Sequence, residues 1–281
     1  MEKVEGAAED QGHMNSPQNQ FSEIVLDDIA MQLHDAVTQK TTLAPLSETY
    51  GIDYAAAVEI RRRLANLLAR YAGQPAGFKL AFMSPGMQKA MGIFEPEFGY
   101  LFSEFVIKPG EPIEAASLSE PHVEPELAFV MGQELQGPGI DVADVMAATE
   151  CIRPAIEIVG SRIDLRGAKT ADIVADNALF GRMMLSETSF APDDVDLENI
   201  PVSMTVDSET ERSNTGNVSG NPAASVAWLA NRLAETDGRE GTIESGHIIM
   251  TGSCTRLMPV KPGSVVDADF GPMGTLHVDI T

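Results

Sequence analysis

The chain has 281 residues, 43% of them hydrophobic, which suits one soluble globular catalytic unit. Its 42 acidic against 19 basic residues leave a formal net charge of −23, spread along the chain, so no basic stripe exists to neutralise nucleic-acid phosphates. The same charge repels an anionic substrate at long range, so any site for a carboxylic acid must create its own local positive potential.

Met1 to Gln20 is polar and lacks the basic and apolar regions of a secretory signal. No apolar run approaches the length that crosses a bilayer. The expectation is a disordered leader over 1–20 on a cytoplasmic protein. Cys151 and Cys254 have no paired spacing, so neither a disulfide framework nor a zinc site is implied.

Leu26, Ile29, Ala30, Leu33 and Val37 recur at helical spacing, as do Ile60, Leu64, Leu67, Leu68 and Tyr71, with Asp53 as the N-cap of the second helix. These predict an N-terminal helical segment over 21–75. From Gly77 the pattern turns to short segments of period two separated by Pro and Gly turns. Strands are predicted over Glu126–Met131 and Pro154–Val159, with a helix between them from about Asp141. Asn221 and Pro222 start a further helix with Val226, Leu229, Ala230 and Leu233 on its buried stripe. Three final strands follow, His247–Thr251, Val265–Phe270 and Thr275–Ile280.

The most informative stretch is His122-Val123-Glu124-Pro125-Glu126-Leu127-Ala128-Phe129. Proline favours extended backbone before it, so Glu124 and Glu126 project to one side of a strand that runs into the interior. Like charges there are tolerable only in solvent or with a cation between them. Glu157 is likewise the lone charge on an apolar strand, Pro154-Ala155-Ile156-Glu157-Ile158-Val159. Three oxygen donors without sulfur suit Mg²⁺ or Mn²⁺; solvated strand-edge glutamates are the alternative.

Several segments, in order across roughly residues 45–281, carry a resemblance. They are Gly77-Phe78-Lys79-Leu80, Pro96-Glu97-Phe98-Gly99, Val123-Glu124-Pro125-Glu126-Leu127, Ile156-Glu157-Ile158-Val159 with Ser161-Arg162, Ala175-Asp176-Asn177-Ala178, Val226-Ala227-Trp228-Leu229-Ala230, and Gly252-Ser253 with Thr255-Arg256. The chain resembles the fumarylacetoacetate hydrolase superfamily, in the branch of 2-keto-4-pentenoate hydratase, 2-oxohept-3-enedioate hydratase and 4-oxalocrotonate decarboxylase.

The resemblance implies an α+β fold, a mixed β-sandwich or rolled barrel core with an N-terminal helical part, and a metal-binding catalytic domain over 76–281. It implies a divalent cation, Mg²⁺ or Mn²⁺, on Glu124, Glu126 and Glu157, with Lys79 and Glu97 as proton carriers. A buried lysine near metal and apolar walls is expected to have a lowered pKa. Arg256 and Thr255 would clamp a distal carboxylate, and Ser84 and Ser253 would line the pocket. His122 invites a ligand role beside the glutamates, but relatives carry no ligand there.

The implied partners are a small 2-oxo or 2-hydroxydienoic acid substrate and further copies of the chain, with association to a decarboxylase of the same family, and neither nucleic acid nor membrane. The expected activity, in catabolism of aromatic compounds, is hydration of a 2-hydroxy-2,4-dienoate through a metal-stabilised enolate to a 4-hydroxy-2-oxo acid. Glu97 before Phe98-Gly99, and Thr255-Arg256, favour this choice. The alternatives are a 4-oxalocrotonate-type decarboxylase, an acylpyruvate or fumarylacetoacetate-type carbon–carbon hydrolase, and a silent homologue that partners a decarboxylase.

Overall fold

The computed structural model describes residues 21–84, 86, 88–89, 93, 95–115, 118, 120–236 and 238–281. The leader expected over 1–20 lies outside the described residues.

Ser22 caps helix α1 (Glu23–Gln39) by accepting from the Val25 N–H, and Leu26, Ile29, Ala30 and Leu33 are buried along one face. After the short α2 (Leu46–Thr49), Asp53 caps α3 (Tyr54–Tyr71) through the Ala56 N–H. The buried face of α3 differs from the one its apolar spacing implies. Arg61 lies inside with Ile60 and Leu64, whereas Tyr71 is 53% exposed. Three further helices connect strands: α4 (Val142–Ala148), with a capping box between Asp141 and Asp144; α5 (Thr170–Ala175); and α6 (Pro222–Ala234), capped by Asn221. Among the described residues no helix is long and apolar enough to cross a membrane.

The larger sheet runs in the order β2 (Glu97–Phe102), β1 (Pro75–Ala81), β9 (Ile248–Met250), β4 (His122–Met131), β5 (Thr149–Val159), β6 (Phe180–Leu185) and β3 (Val106–Ile107), with β10 (Met258–Pro259) paired to the start of β4. The β1–β9 and β3–β6 pairs are parallel and the others antiparallel, so the sheet is mixed. A smaller antiparallel sheet runs β12 (Thr275–Asp279), β11 (Val265–Asp269), β7 (Pro201–Val206) and β8 (Glu209–Asn214). One apolar core joins the helices to both sheets.

The larger sheet is strongly curled. Strands β1 and β5 are separated by β9 and β4, which in a flat sheet would hold them about 14 Å apart. Yet Lys79 Nζ on β1 lies 3.1 Å from Glu157 Oε1 on β5. The sheet therefore rolls into a half-barrel whose concave face gathers side chains from distant strands. This is the expected α+β architecture, with a helical N-terminal region against a rolled mixed sheet.

Candidate metal centre and its cavity

The β4–β5 pairing places Glu124 opposite Glu157 and Glu126 opposite Ala155. Alternate residues of a strand share a face, so all three carboxylates point into the curl. One oxygen from each lies within 4.8 Å of the others. Glu126 and Glu157 are fully buried and Glu124 is 8% exposed.

Hydrogen bonding leaves this cluster short of partners. Glu126 Oε2 accepts the Gly252 N–H at 2.8 Å, but Glu126 Oε1 and both oxygens of Glu157 accept none. The Lys79 contact on Glu157 is an ion contact at 3.1 Å, with Lys79 Nζ donating its hydrogen bond to the Ala178 carbonyl at 2.9 Å. Gly252 is required where it stands: its φ is +101°, and a Cβ there would come within 2.9 Å of Met83 Cγ.

Burial pushes all three carboxyls above their ordinary range. Glu124 is raised to about 7, first by burial and then by the charge of Glu157. Glu126 is raised well above its usual value by burial and by both neighbouring carboxylates, and Glu157 is raised by burial against the opposing pull of Lys79. One ammonium does not compensate three buried carboxylates. The orphaned oxygens, their spacing and the all-oxygen donor set fit a divalent hard ion such as Mg²⁺ or Mn²⁺.

Lys79 departs from the sequence expectation in one respect. Burial presses its pKa down, but Glu157, Glu124 and Glu126 together outweigh burial and hold the amine above its ordinary value. The lowered value was expected beside a metal, whose positive charge would oppose this pull.

The carbonyl that receives Lys79 belongs to an unusual turn. Asn177, Ala178 and Leu179 have φ of 53°, 50° and 62°, three left-handed residues in succession. Asparagine tolerates this region, whereas alanine and leucine each sacrifice about 1–2 kcal/mol to occupy it. Phe82, at the end of β1, has φ 59°. Both strained segments border the same cavity.

That cavity has a volume of about 90 Å³, and Lys79 and Glu124 are among the residues that line it. Leu80, Phe82, Met83, Ile173 and Leu179 form apolar walls, and Ser84, Asn217, Ser253 and Thr255 supply polar atoms. The structure thus brings Lys79, Ser84, Ser253 and Thr255 together with Glu124 around one cavity. Ser253 Oγ donates to the Thr255 carbonyl, and Thr255 Oγ1 to the Arg256 carbonyl.

Two other sequence candidates lie elsewhere. Arg256 occupies an outer recess that shares Ser84, Asn217 and Thr255 with the cavity, and its guanidinium is ion-paired with Glu211. Glu97 does not line the cavity. It lies 3.4 Å from Arg61 Nη1, while Arg61 also holds Glu240 at 2.6 Å, donates to the Phe98 carbonyl at 2.8 Å and stacks 4.0 Å above the Phe98 ring. Burial raises the Glu97 pKa, and Arg61 and the Tyr54 hydroxyl oppose the rise. His122 opens β4 with its Nδ1 2.8 Å from the Glu120 carbonyl.

Sequence reasoning missed Arg61, whose place in Arg61-Arg62-Arg63 suggests an exposed basic run. It also missed the Ala178 carbonyl. Only Asn177, the one residue of the turn suited to positive φ, signalled it.

A family model described as fumarylacetoacetate (FAA) hydrolase C-terminal matches residues 81–281. Among curated proteins, a 2-hydroxyhexa-2,4-dienoate hydratase of Comamonas testosteroni is 33% identical over 255 residues, covering 89% of this chain and 95% of that protein. A 4-oxalocrotonate decarboxylase of Pseudomonas sp. (strain CF600) is also 33% identical, over 248 residues, covering 87% and 90%. Among solved structures, the 4-oxalocrotonate decarboxylase of Pseudomonas putida G7, complexed with magnesium and adipate, superposes with a TM-score of 0.89 at 26% identity, over 94% of this chain and 100% of that one.

Proposed function

Because the chain belongs to the fumarylacetoacetate hydrolase superfamily, we propose that it is a divalent-metal enzyme of aromatic catabolism acting on small 2-oxo or 2-hydroxydienoic acids, and that its reaction is loss of CO₂ from a substrate of the 4-oxalocrotonate type. The observation that carries the choice is the acid–base inventory of the cavity. Among its described lining residues Glu124 is the acid and Lys79 the base, whereas Glu97, the acid expected to serve hydration, is engaged by Arg61. The likeness to a decarboxylase over 94% of the chain supports the same reading.

Glu124, Glu126 and Glu157 would hold the cation. When bound, it supplies Lewis-acid polarisation of the substrate's 2-oxo group. Lys79 has three donors. One is directed to the Ala178 carbonyl, and with Glu157 held by an ion contact the amine keeps a donor for the substrate oxygen. In the proposed step the bond to the distal carboxylate breaks and CO₂ departs. The electron pair moves through the conjugated double bond to the oxygen at C2, and one proton from Lys79 completes a 2-hydroxydienoate. Leu80, Phe82, Met83, Ile173 and Leu179 exclude water from this path and offer departing CO₂ an apolar surface.

Hydration is the second reading, favoured by the 33% identity to a hydratase. The test is to incubate the full chain with Mg²⁺ and, separately, 4-oxalocrotonate, 2-hydroxypenta-2,4-dienoate and an acylpyruvate. CO₂ release from the first is expected. Conversion of the dienoate to a 4-hydroxy-2-oxo acid without CO₂ release would make the protein a hydratase, and conversion of the acylpyruvate alone a carbon–carbon hydrolase. No turnover with Mg²⁺ or Mn²⁺ would leave the silent homologue.

A further inference from the structure

We propose that Asn177 is a positioning residue for Lys79, holding the left-handed turn so that the Ala178 carbonyl fixes where the amine sits. This rests on the proposal that Lys79 carries the proton.

A lysine on a flexible stem beside three carboxylates is drawn into them. A neutral carbonyl on its other side restrains it, and the Ala178 carbonyl, 2.9 Å from Lys79 Nζ, provides that restraint. The carbonyl can face the amine only because the turn is left-handed, a conformation that Ala178 and Leu179 do not favour and that persists only where the surroundings impose it.

The Asn177 side chain supplies the imposing clamp. Asn177 Oδ1 accepts the Tyr100 N–H at 2.7 Å and Asn177 Nδ2 donates to the Tyr100 carbonyl at 2.9 Å, so one side chain binds both backbone groups of one residue of β2. The approach is close: a Cβ on Gly99 would lie 2.3 Å from the Asn177 carbonyl oxygen. Gly99 is also the direct strand partner of Lys79, so the clamp sits beside the residue it serves. The far end of the turn is tied down by the Gly160 N–H, which donates to the Leu179 carbonyl at 2.9 Å.

Asn177→Gly tests this cleanly, since glycine suits the positive φ and allows the chain to fold while both clamp bonds are lost. The assay uses full-length enzyme with Mg²⁺ and whichever of 4-oxalocrotonate or 2-hydroxypenta-2,4-dienoate the wild type converts, with Mg²⁺ affinity measured separately by calorimetry. The expected result is a kcat lower by roughly 10–100-fold, the range for loss of an outer-shell partner, with KM and Mg²⁺ affinity unchanged. Asn177→Asp, which keeps the acceptor for the Tyr100 N–H, should recover part of the loss. A wild-type kcat in Asn177→Gly overturns the inference, as does a kcat loss matched by an equal loss of Mg²⁺ affinity. Lys79→Met separates the two levels. If it is inactive while Asn177→Gly keeps the wild-type kcat, only the positioning role fails; if it keeps full turnover, the proton-carrier reading fails and takes the positioning role with it.

Discussion

Glu124 and Glu157 stand directly opposite each other across the β4–β5 pairing, both buried, and neither oxygen of Glu157 accepts a hydrogen bond. Like charges in that relation destabilise a sheet, so the fold carries at this point a repulsion that a cation between the strands relieves.

Glu157→Gln removes one charge of the pair. The metal-free variant should melt at or above the wild-type temperature, because a buried and under-compensated carboxylate is gone. The stabilisation that Mg²⁺ gives the wild type, about 2.7 kcal/mol at a hundredfold excess over Kd, should nearly vanish. Calorimetric melting with and without Mg²⁺ reads both, and an unchanged Mg²⁺ effect would count against the centre.

Glu124 makes the centre sensitive to pH. Its carboxyl is raised from 4.5 to about 7 by burial and by Glu157, so the folded metal-free protein binds more protons than the unfolded chain. Its contribution to stability is therefore intact below 4.5 and is lost as pH rises through about 7. Mg²⁺ affinity runs the other way and rises across the same window as the ligand ionises. Denaturation midpoints and Mg²⁺ titrations across that range, compared with Glu124→Gln, isolate the effect. Metal-free wild type that gains stability relative to Glu124→Gln as pH rises would refute it.

Arg61 compensates two buried carboxylates at once. Arg61→Met should cost about 3–5 kcal/mol, because Glu97 and Glu240 would be left without their cation. Adding Glu97→Gln and Glu240→Gln to that variant should recover much of the loss. Glu97→Gln alone should alter stability more than kcat, since Glu97 lies off the cavity. Urea unfolding beside turnover measurements decides, and a kcat loss of a hundredfold with unchanged stability would return Glu97 to the chemistry.

Gly252→Ala should weaken both fold and metal affinity. The backbone is at φ +101°, a new Cβ would crowd Met83, and the N–H concerned holds Glu126. A loss of about 1–3 kcal/mol is expected from the backbone conformation. Wild-type stability and Mg²⁺ binding together would show that the turn adapts.

Glu124, Glu126 and Glu157 were legible in the sequence because each is a charge stranded in an apolar strand, a local pattern that strand alternation translates directly into geometry. The helix starts at Asp53 and Asn221 were legible for the same reason, since a cap acts on its own next turn. Arg61 was not, because its carboxylates come from 36 and 179 residues away. The role of proton carrier for Glu97 is implied by the family resemblance of Pro96-Glu97-Phe98-Gly99, while its surroundings are set by Arg61 on α3. The left-handed turn was least legible, since Ala178 and Leu179 have no local preference for it and the bonds that fix the turn, from Asn177 to Tyr100 and from Gly160 to Leu179, join residues far apart in the chain.

The narrow β9 has a consequence for the timing of assembly. Residues 248–250 form the strand that stands between β1 and β4, and only with it in place do Lys79 and Glu157 meet. A ribosome releases the lysine and every glutamate of the trio well before that strand emerges. The nascent polypeptide therefore carries all the charged groups of its centre before the strand that joins β1 to β4 has emerged.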